Sequence, residues 1–544
     1  MHEALGTRIA EKPRFSLWVP AIIATVYFLA HMATATRYGY FRDALYYLAC
    51  SEHLAWGYVD QPPLIVFIAW VARHTLGVSL PALLLWPALA GAARIILTAA
   101  FARELGANRS GAALAAVLTA TPAVWYVTDH QFAMNALEPL FWTGCAFAVA
   151  RMIHTNNPKW WLVFGAIAGL GLENKYSIAA FAFFLLFGLL LTSQRRFVFS
   201  PWILAGGIVA LLLFLPNLLW NIQHHWPFLE LMRNIRASGR DVVLSPTTFL
   251  AQQLLIMTPA TLPFWLGGLW FYFSSAGKQF RAFGWTFIFT LGFFLLAHGK
   301  NYYSAPVYPL VLAAGAVAAE KFLNKKHCEE RPRLRTAFEV AMIGWLAVGM
   351  LLLLAVVLPV LPIDAYLRYQ AHLPFVVPKS EHNQDTAILP QHYADEFGWE
   401  EMVSRVAEVY HSLLPEEQSR TAIFANNYGE AGAIDFFGNR YGLPKAICAH
   451  QNYFFWGPRN YTGEIVIRIG IKPEDARDSY ESVRVAATLD NPYAMPFEKN
   501  PILLCRHRKK IFKRIGLTSK IGTKPNYKRS VLARALWSFY SPSL

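Results

Sequence analysis

Long apolar segments alternate with short polar ones over the first two thirds of the chain. A helix that spans a membrane needs about 20 mostly apolar residues. The segments that meet or approach this length are 15–35, 64–72 continuing through 80–102 (counted as one span with its leading segment), 110–128, 137–153, 160–172, 176–192, 202–220, 248–273, 283–298, 304–320 and 337–361. The pattern predicts a polytopic α-helical membrane protein with about 11 transmembrane helices.

Lysine and arginine residues indicate the orientation of these spans. With a cytoplasmic N-terminus, every inner loop carries basic residues, as the positive-inside rule requires. These inner loops are 103–109, 151–159, 193–200, 274–282 and 321–336. The outer loops are then 36–63, 129–136, 173–175, 221–247 and 299–303, and residues after 361 also lie outside. Arg233, Arg236 and Arg240 in the longest outer loop run against the rule.

The pattern changes after Leu361. Residues 399–413 place apolar side chains on one helical face, and four short segments are typical of strands. The predicted strands are 421–427, 464–471, 483–489 and 501–507. We expect a transmembrane domain over 1–361, an extracytoplasmic α/β domain over 362–505 and a basic tail over 506–544. The tail contains eleven Lys/Arg and no Asp/Glu, which is typical of a lipid-facing arm.

Composition agrees with a membrane protein. Only 15% of the residues are charged and 55% are hydrophobic, whereas soluble domains carry about 25% charged residues. The net charge of +15 is explained by basic loops and headgroup contacts rather than by nucleic acid. The five cysteines show no CxxC spacing, so neither a disulfide framework nor a zinc site is expected.

The first outer loop is unusually rich in charged and aromatic residues. Residues 42–56 are amphipathic, and we expect a helix on the membrane surface with Asp43 at its N-terminal end. Tyr46, Tyr47 and Trp56 would lie at headgroup level. Polar residues at the outer ends of other spans suggest a shared cavity on this side. These residues are Asp43, Asp60, Glu138, Lys175, His224, His225 and Lys300.

Several motifs in this order resemble one known family. They are "YFRDALYYLACSEHLAWGYVDQPPL", "MNALEPLFW", "GLGLENKYS", "LPNLLWNIQHHWP", "GKNYYSAPVYPLVLAAGA", "NYGEAGAIDFFGNRYGLP" and "YFFWGP". The chain resembles the polyprenyl-phosphate-sugar-dependent glycosyltransferases of superfamily C, in particular the bacterial family 39 enzymes. These are related to the protein O-mannosyltransferases and the lipid A aminoarabinose transferase. The resemblance extends to about residue 506.

The resemblance implies a site on the outer face. Asp43 matches an acid that often belongs to an adjacent Asp-Glu pair, but Ala44 replaces the second acid here. Glu138, before Pro139, matches the family's second acid. A carboxylate can take the proton of the attacking hydroxyl, and cations stabilise the departing phosphate. Asp43 and Glu138 are therefore the candidate catalytic residues, and the donor phosphate would contact Arg42, Lys175 and Lys300.

Each assignment has a structural alternative. Asp43 could cap a helix, Glu138 could be an acid favoured by the helix dipole, and the lysines could extend to the interface. The candidate substrate contacts are Asp60, Tyr302, Tyr303 and Trp456, with a turn or aromatic packing as the alternative. His224 and His225, with a nearby carboxylate, could bind a divalent metal, although a solvated pair is the alternative. No cofactor is required.

The sequence favours a glycosyltransferase of the bacterial inner membrane that transfers a hexosyl or pentosyl group. Its expected partners are a polyprenyl-phosphate sugar donor, a hydroxyl acceptor on a glycan, lipid or protein, and membrane lipids, with no nucleic acid. One alternative is a transporter or flippase of a lipid-linked saccharide, but no internal repeat is evident. The other is a degenerate, non-catalytic relative, which the missing second acid after Asp43 leaves open.

Overall fold

The computed structural model describes residues 17–238, 243–324, 332–375, 377–378 and 387–509. Helices predominate in the first part of the chain. They are Trp18–Thr34 (α1), Arg42–Ser51 (α2), Leu64–Thr75 (α3), Leu80–Glu104 (α4), Arg109–Ala120 (α5), Ala123–Asp129 (α6), Met134–Thr155 (α7), Trp160–Leu172 (α8), Ser177–Leu190 (α9), Arg195–Val198 (α10), Pro201–Gln223 (α11), Pro227–Ser238 (α12), Pro246–Ile256 (α13), Leu262–Phe273 (α14), Arg281–Leu296 (α15), Tyr308–Leu323 (α16) and Pro332–Val357 (α17). Three 3-10 turns, Pro259–Thr261, Lys278–Phe280 and Asn301–Val307, connect some of them.

Six of the described helices are long and apolar enough to cross a membrane. Two bent pairs, α5 with α6 and α13 with Pro259–Phe273, raise the number to 8 if each pair is one span. Shorter apolar helices, among them α1, α8 and α9, occupy other predicted spans. The polytopic helical architecture is confirmed, whereas the predicted number of 11 spans remains a prediction.

The segments 64–72 and 80–102, predicted to form one span with its leading segment, correspond to two separate helices. The structure has two helices, α3 and α4, separated at residues 76–79. Gly77 lies in this break with φ +88°, a left-handed conformation that glycine adopts without the steric cost of a Cβ. Pro81 then begins the second helix in its first turn, where a missing N–H leaves no hydrogen bond unmade.

A small α/β unit follows the last long helix. Its helices are Ile363–Gln370 (α18), Gln391–Ala394 (α19), Trp399–His411 (α20), Pro415–Gln418 (α21), Tyr428–Phe437 (α22), Tyr453–Trp456 (α23) and Pro473–Arg477 (α24), with 3-10 turns at Gly438–Tyr441 and Pro496–Glu498. Its strands are Thr421–Ala425 (β1), Ile447–Cys448 (β2), Ile465–Arg468 (β3), Tyr480–Ala487 (β4) and Ile502–Arg508 (β5). The α/β class predicted for this unit is confirmed.

The sheet has the strand order β2-β1-β3-β5-β4. Strand β1 is parallel to both β2 and β3, whereas β5 is antiparallel to both β3 and β4. The four predicted strands lie at β1, β3, β4 and β5, and the two-residue strand β2 was not predicted. Strand β5 continues past the predicted domain boundary at residue 505, and most of the predicted basic tail lies outside the described residues.

Helix α2 connects the two parts of the molecule through one shared hydrophobic core. Leu45 and Leu48 of α2 pack in the same cluster as Ile423 of β1 and Ile434 of α22. At Gly432 the two helices approach so closely that a Cβ would lie 2.8 Å from the carbonyl carbon of Leu45. The C-terminal unit is therefore packed directly onto α2.

This packing corrects the predicted environment of α2. The helix ends at Ser51 rather than near Trp56. Tyr46 and Tyr47 are 1% and 3% exposed beneath the C-terminal unit, so their predicted position at headgroup level is wrong. Trp56 lies beyond the helix and is exposed. Sequence periodicity indicated an amphipathic helix but could not show that a domain more than 300 residues later covers it.

Candidate active site

Asp43 lies in the first turn of α2, where the chain turns into the helix after an extended residue, Phe41. Its Oδ1 accepts a hydrogen bond of 2.7 Å from the Tyr428 hydroxyl, which α22 of the C-terminal unit supplies. The Asp43 side chain remains 27% exposed. The structure therefore gives this carboxylate a fixed orientation and leaves part of it accessible.

Arg42 is directed mainly towards the C-terminal unit. Its Nη2 lies 3.5 Å from Oδ2 of Asp395, a fully buried carboxylate, while its Nε lies 3.9 Å from Asp43 Oδ1. The guanidinium group also lies 5.5 Å from the centre of the Tyr428 ring. Because these contacts already involve Arg42, its predicted contact with the donor phosphate gains no support from the geometry.

Asp60 lies close to Asp43, and we call these two residues the acidic pair. The Tyr46 hydroxyl donates to Asp60 Oδ1 at 3.0 Å, and the same hydroxyl accepts from the Asn452 backbone N–H at 3.2 Å. Burial raises the pKa of Asp60 to about 7, and the charge of Asp43 contributes to the rise. Asp60 therefore has a hydrogen-bond partner outside its own turn, and its contact with substrate stays a prediction.

Glu138 forms a second acidic position in α7. Its carboxylate is almost completely buried and lies 2.7 Å from Lys175 Nζ. Ser177 donates a hydrogen bond to the other oxygen, and Lys175 also donates to Asn135 Oδ1 at 2.8 Å. We call Glu138 and Lys175 the buried ion pair of α7. Since the charge of Lys175 is compensated by Glu138, its predicted role at the phosphate is weakened.

The 3-10 turn Asn301–Val307 adjoins this ion pair. Lys175 Nζ lies 5.0 Å from the centre of the Tyr303 ring, and Tyr302 packs edge-on against Tyr303 with ring centres 4.9 Å apart. Lys300 immediately precedes the turn, and the Tyr303 N–H donates to its carbonyl at 3.1 Å. Within the described residues the Lys300 ammonium forms no ion pair or hydrogen bond, so it can contact a phosphate.

Trp456 contacts the first outer loop, whereas the contacts of His224 with Trp220 are local. Trp456 packs on His53 with ring centres 4.5 Å apart, close to the loop that carries Asp60. His224 Nδ1 faces the Trp220 carbonyl of its own helix at 2.8 Å, and its ring stacks on Trp220. No group of three His, Cys, Asp or Glu residues in the described ranges could hold a metal ion. The metal hypothesis for His224 and His225 therefore has no geometric support.

Residues 173–176, which we call the bridging loop, connect the two acidic positions. Lys175 contacts Glu138, whereas the next residue, Tyr176, donates to Asn217 Oδ1 at 3.1 Å. The Asn217 amide in turn donates to the Trp56 carbonyl at 2.7 Å, in the loop before Asp60. The bridging loop and the first outer loop therefore form one polar region.

Two contributions to this region were not predicted. Tyr428 and Asp395 reach α2 from the C-terminal unit, although the motif "NYGEAGAIDFFGNRYGLP" had indicated only that this segment resembles the family. A signal was present in "NYGE": Asn427 caps α22, and Glu430 completes a capping box, so a helix must begin at Tyr428. No local pattern indicates that this helix begins opposite Asp43.

Comparison with known proteins identifies the fold. Residues 60–220 match the family described as dolichyl-phosphate-mannose-protein mannosyltransferase. The structure is similar to ArnT from Cupriavidus metallidurans bound to undecaprenyl phosphate, with a TM-score of 0.58 and 14% identity over 90% of this chain and 98% of that one. For the same protein in the apo state the values are 0.57 and 16%, over 89% and 97%. No curated protein matches the sequence.

These findings define a multi-pass membrane protein with the fold of the superfamily C glycosyltransferases. Within that class, the chain is similar in fold to ArnT, and its residues 60–220 match the protein mannosyltransferase family. The family resemblance expected from the sequence is confirmed.

Proposed function

We propose that this protein transfers a sugar from a polyprenyl-phosphate donor to a hydroxyl group of an acceptor. The observation that carries the proposal is the partly exposed Asp43 carboxylate, which the Tyr428 hydroxyl orients at 2.7 Å. An acceptor hydroxyl that approaches the accessible part of this carboxylate can transfer its proton there. The matched family and the fold of ArnT support the same reaction class.

The reaction has one bond-forming and one bond-breaking event. The acceptor oxygen attacks the anomeric carbon, its proton passes to Asp43, and the bond between the anomeric carbon and the phosphate oxygen breaks. The polyprenyl phosphate leaves with the bonding electrons. Asp60 assists the same proton transfer, because burial raises its pKa to about 7 and a group that titrates near the working pH exchanges protons readily.

The leaving phosphate is assigned to the neighbourhood of Lys300. This residue precedes the turn that contacts the buried ion pair of α7, and no described residue neutralises its charge. A compact ammonium group can follow a phosphate whose position changes during departure. Lys175 and Glu138 then hold the adjacent turn in place, and Arg42 orients Asp43 rather than the donor.

The donor class and location follow from the same reasoning. ArnT was observed with undecaprenyl phosphate, and we extend a lipid carrier of this kind to the present chain. We propose that the site and the C-terminal unit face the outer side of the bacterial inner membrane, as the basic inner loops favour. The transferred hexosyl or pentosyl group and the acceptor are to be identified by assay.

The decisive experiment is a transfer assay with purified protein in liposomes. Undecaprenyl-phosphate-linked hexoses and pentoses, each radiolabelled in the sugar, would be offered with glycan, lipid and peptide acceptors. We expect one donor to yield labelled acceptor and free undecaprenyl phosphate in equal amounts. Movement of intact labelled donor across the bilayer without transfer would instead indicate a flippase, and neither product nor movement would indicate a non-catalytic relative.

A further inference from the structure

Glu173 is a buried carboxyl group without a hydrogen-bond partner in the part of the chain that the structure describes. It follows the last residue of α8 and is 9% exposed, and neither of its side-chain oxygens has a hydrogen-bond partner among the described residues. The side-chain oxygen of the next residue, Asn174, is also buried and has no hydrogen-bond partner among the described residues. The amide nitrogen of Asn174 donates to the Met134 carbonyl at 2.9 Å. Three acceptor oxygens are thus concentrated on two consecutive residues.

Such an arrangement destabilises a fold unless a ligand or an ordered water compensates for it. A carboxylate with a structural role looks different in this same chain. Glu320 is 5% exposed, and it accepts hydrogen bonds from the Asn108 N–H, the Ser110 hydroxyl and the Gly111 N–H at the start of α5. Glu173 is therefore not explained as a helix cap or an internal ion pair.

Glu173 belongs to the bridging loop, between the two acidic positions. Its carbonyl accepts from the Leu64 N–H at 2.9 Å, which attaches it to the end of the loop that carries Asp60. Burial raises the pKa of the Tyr176 hydroxyl, and the charges of Glu173 and Asp60 both add to that rise. Glu173 and Asp60 therefore both lie within electrostatic range of the Tyr176 hydroxyl.

We propose that Glu173 and Asn174 form a subsite that binds hydroxyl groups of the donor sugar. The proposal rests on the proposed transferase function and adds to it the residues that recognise the sugar rather than the phosphate. Sugar hydroxyls donate hydrogen bonds to the three unpaired oxygens. Burial raises the pKa of Glu173 to about 8, so the carboxyl is mostly neutral at pH 7 and can both donate and accept, which suits a neutral hydroxyl.

The test compares two lipids that differ only by the sugar. Wild type and Glu173→Leu would be titrated with bare undecaprenyl phosphate and with the undecaprenyl-phosphate-linked sugar that wild type transfers. We expect the variant to bind the bare lipid as wild type does and the sugar-bearing lipid about 10-fold more weakly, as expected for losing a hydrogen bond to a polar side chain. Glu173→Gln keeps an acceptor oxygen and should restore part of the affinity.

A stability measurement without ligand separates binding from folding. Glu173→Leu removes an unpaired buried carboxyl, so its thermal unfolding midpoint should rise, whereas Glu320→Leu removes a paired one and should lower the midpoint. A lower midpoint for Glu173→Leu, or equal weakening for both lipids, would overturn the subsite. If wild type transfers sugar but Glu173→Leu binds the sugar-bearing lipid as wild type does, the subsite is also rejected. A wild type that transfers no sugar would instead reject the transferase function itself.

Discussion

Two regions of this molecule treat a carboxylate with restricted access to water in opposite ways. Between α1, α4 and α6, Asp129 is completely buried and lies 2.9 Å from Arg94 Nη2, and it also accepts from the Tyr27 hydroxyl at 2.8 Å. At the acidic pair, Asp60 accepts from the Tyr46 hydroxyl at 3.0 Å but has no ion pair with any described residue. The first carboxylate is neutralised by a cation, whereas the second is not.

Under the proposed function, this difference distinguishes a structural charge from a reactive one. A buried ion pair with further hydrogen bonds fixes the helices that carry it, and removing one partner leaves an uncompensated charge. A buried carboxyl beside another carboxyl has a raised pKa and exchanges protons near neutral pH. We therefore expect substitutions at Arg94 and Asp129 to affect folding, and substitutions at the acidic pair to affect turnover.

The largest effect on activity is expected for Asp43→Asn. The amide keeps the size of the side chain but cannot accept the proton of the hydroxyl, so turnover should fall roughly 10²–10⁴-fold. Steady-state transfer in liposomes measures the loss. Asp364→Asn is the matched control, because Asp364 also lies in the first turn of a helix and accepts from a tyrosine, Tyr493, at 3.4 Å. Equal activities of the two variants would exclude Asp43 as the base.

Arg94→Met should have the largest effect on stability. Breaking a fully buried ion pair by removing one partner costs about 3–5 kcal/mol, because Asp129 would keep its charge without Arg94. Denaturant unfolding in detergent measures the loss. The double variant Arg94→Met/Asp129→Leu should recover most of it, since no unpaired charge remains. A single variant as stable as wild type would show that the ion pair does not hold these helices.

Tyr428→Phe should reduce turnover without unfolding the protein. A hydrogen bond to a charged group contributes about 1.5–3 kcal/mol, so losing the orientation of Asp43 should slow transfer roughly 10–100-fold. Tyr493→Phe removes the corresponding bond at Asp364 and should leave transfer unchanged. If both phenylalanine variants are equally active, the C-terminal unit does not orient the candidate base.

Lys300→Met should weaken use of the lipid donor. The aliphatic stem is kept and one phosphate contact is lost, so KM for the donor should rise about 10-fold, the lower end for a charged hydrogen bond. A parallel fall in kcat would indicate contact with the leaving phosphate in the transition state. Lys159→Met, in a predicted inner loop, is the control. Unchanged donor kinetics in Lys300→Met would move the phosphate site elsewhere.

The smallest expected effect concerns pH. Because the pKa of Asp60 is raised, the unfolded chain releases this proton at lower pH, and the fold loses stability as pH rises from about 4 to 7. Asp43→Asn removes one cause of the raised pKa, so the pKa of Asp60 should fall by an amount on the order of one unit. The loss of stability between these pH values should become correspondingly smaller, while burial maintains the rest of the pKa shift. Unfolding midpoints between pH 4 and 8 measure it, and identical profiles would show that the two carboxylates do not interact.

The sequence predicted the elements of the fold because each has a local cause. The length of an apolar segment indicates a span, and Gly and Pro mark the turns between spans, as in "GYVDQPPL" before α3. The segments 64–72 and 80–102 were counted as one span because the average hydropathy stays high across residues 76–79, which separate α3 from α4. Composition does not predict a bend such as the one between α5 and α6, because the bend depends on what the flanking helices pack against.

The candidate site was predicted only where its residues share one loop or one motif. Asp43, Glu138 and Lys300 were found from family motifs, but their partners come from distant segments. Arg94 was overlooked because it lies inside an apolar span, where only the position of Asp129 in another helix explains a charge. Glu173 was read as part of a motif, since its lack of partners is a property of the packed structure alone.

The hydrogen bond between Tyr428 and Asp43 joins residues that are 385 positions apart. Ribosomes add about 5–20 residues per second, so the hydroxyl that orients Asp43 is made roughly 20–80 s after the carboxylate itself. During that interval α2 has emerged without its cover, with Tyr46 and Tyr47 facing water or lipid. Under the proposed function the protein is therefore inactive until this late segment is made, and a chain truncated before residue 428 would lack the hydroxyl that orients the candidate base.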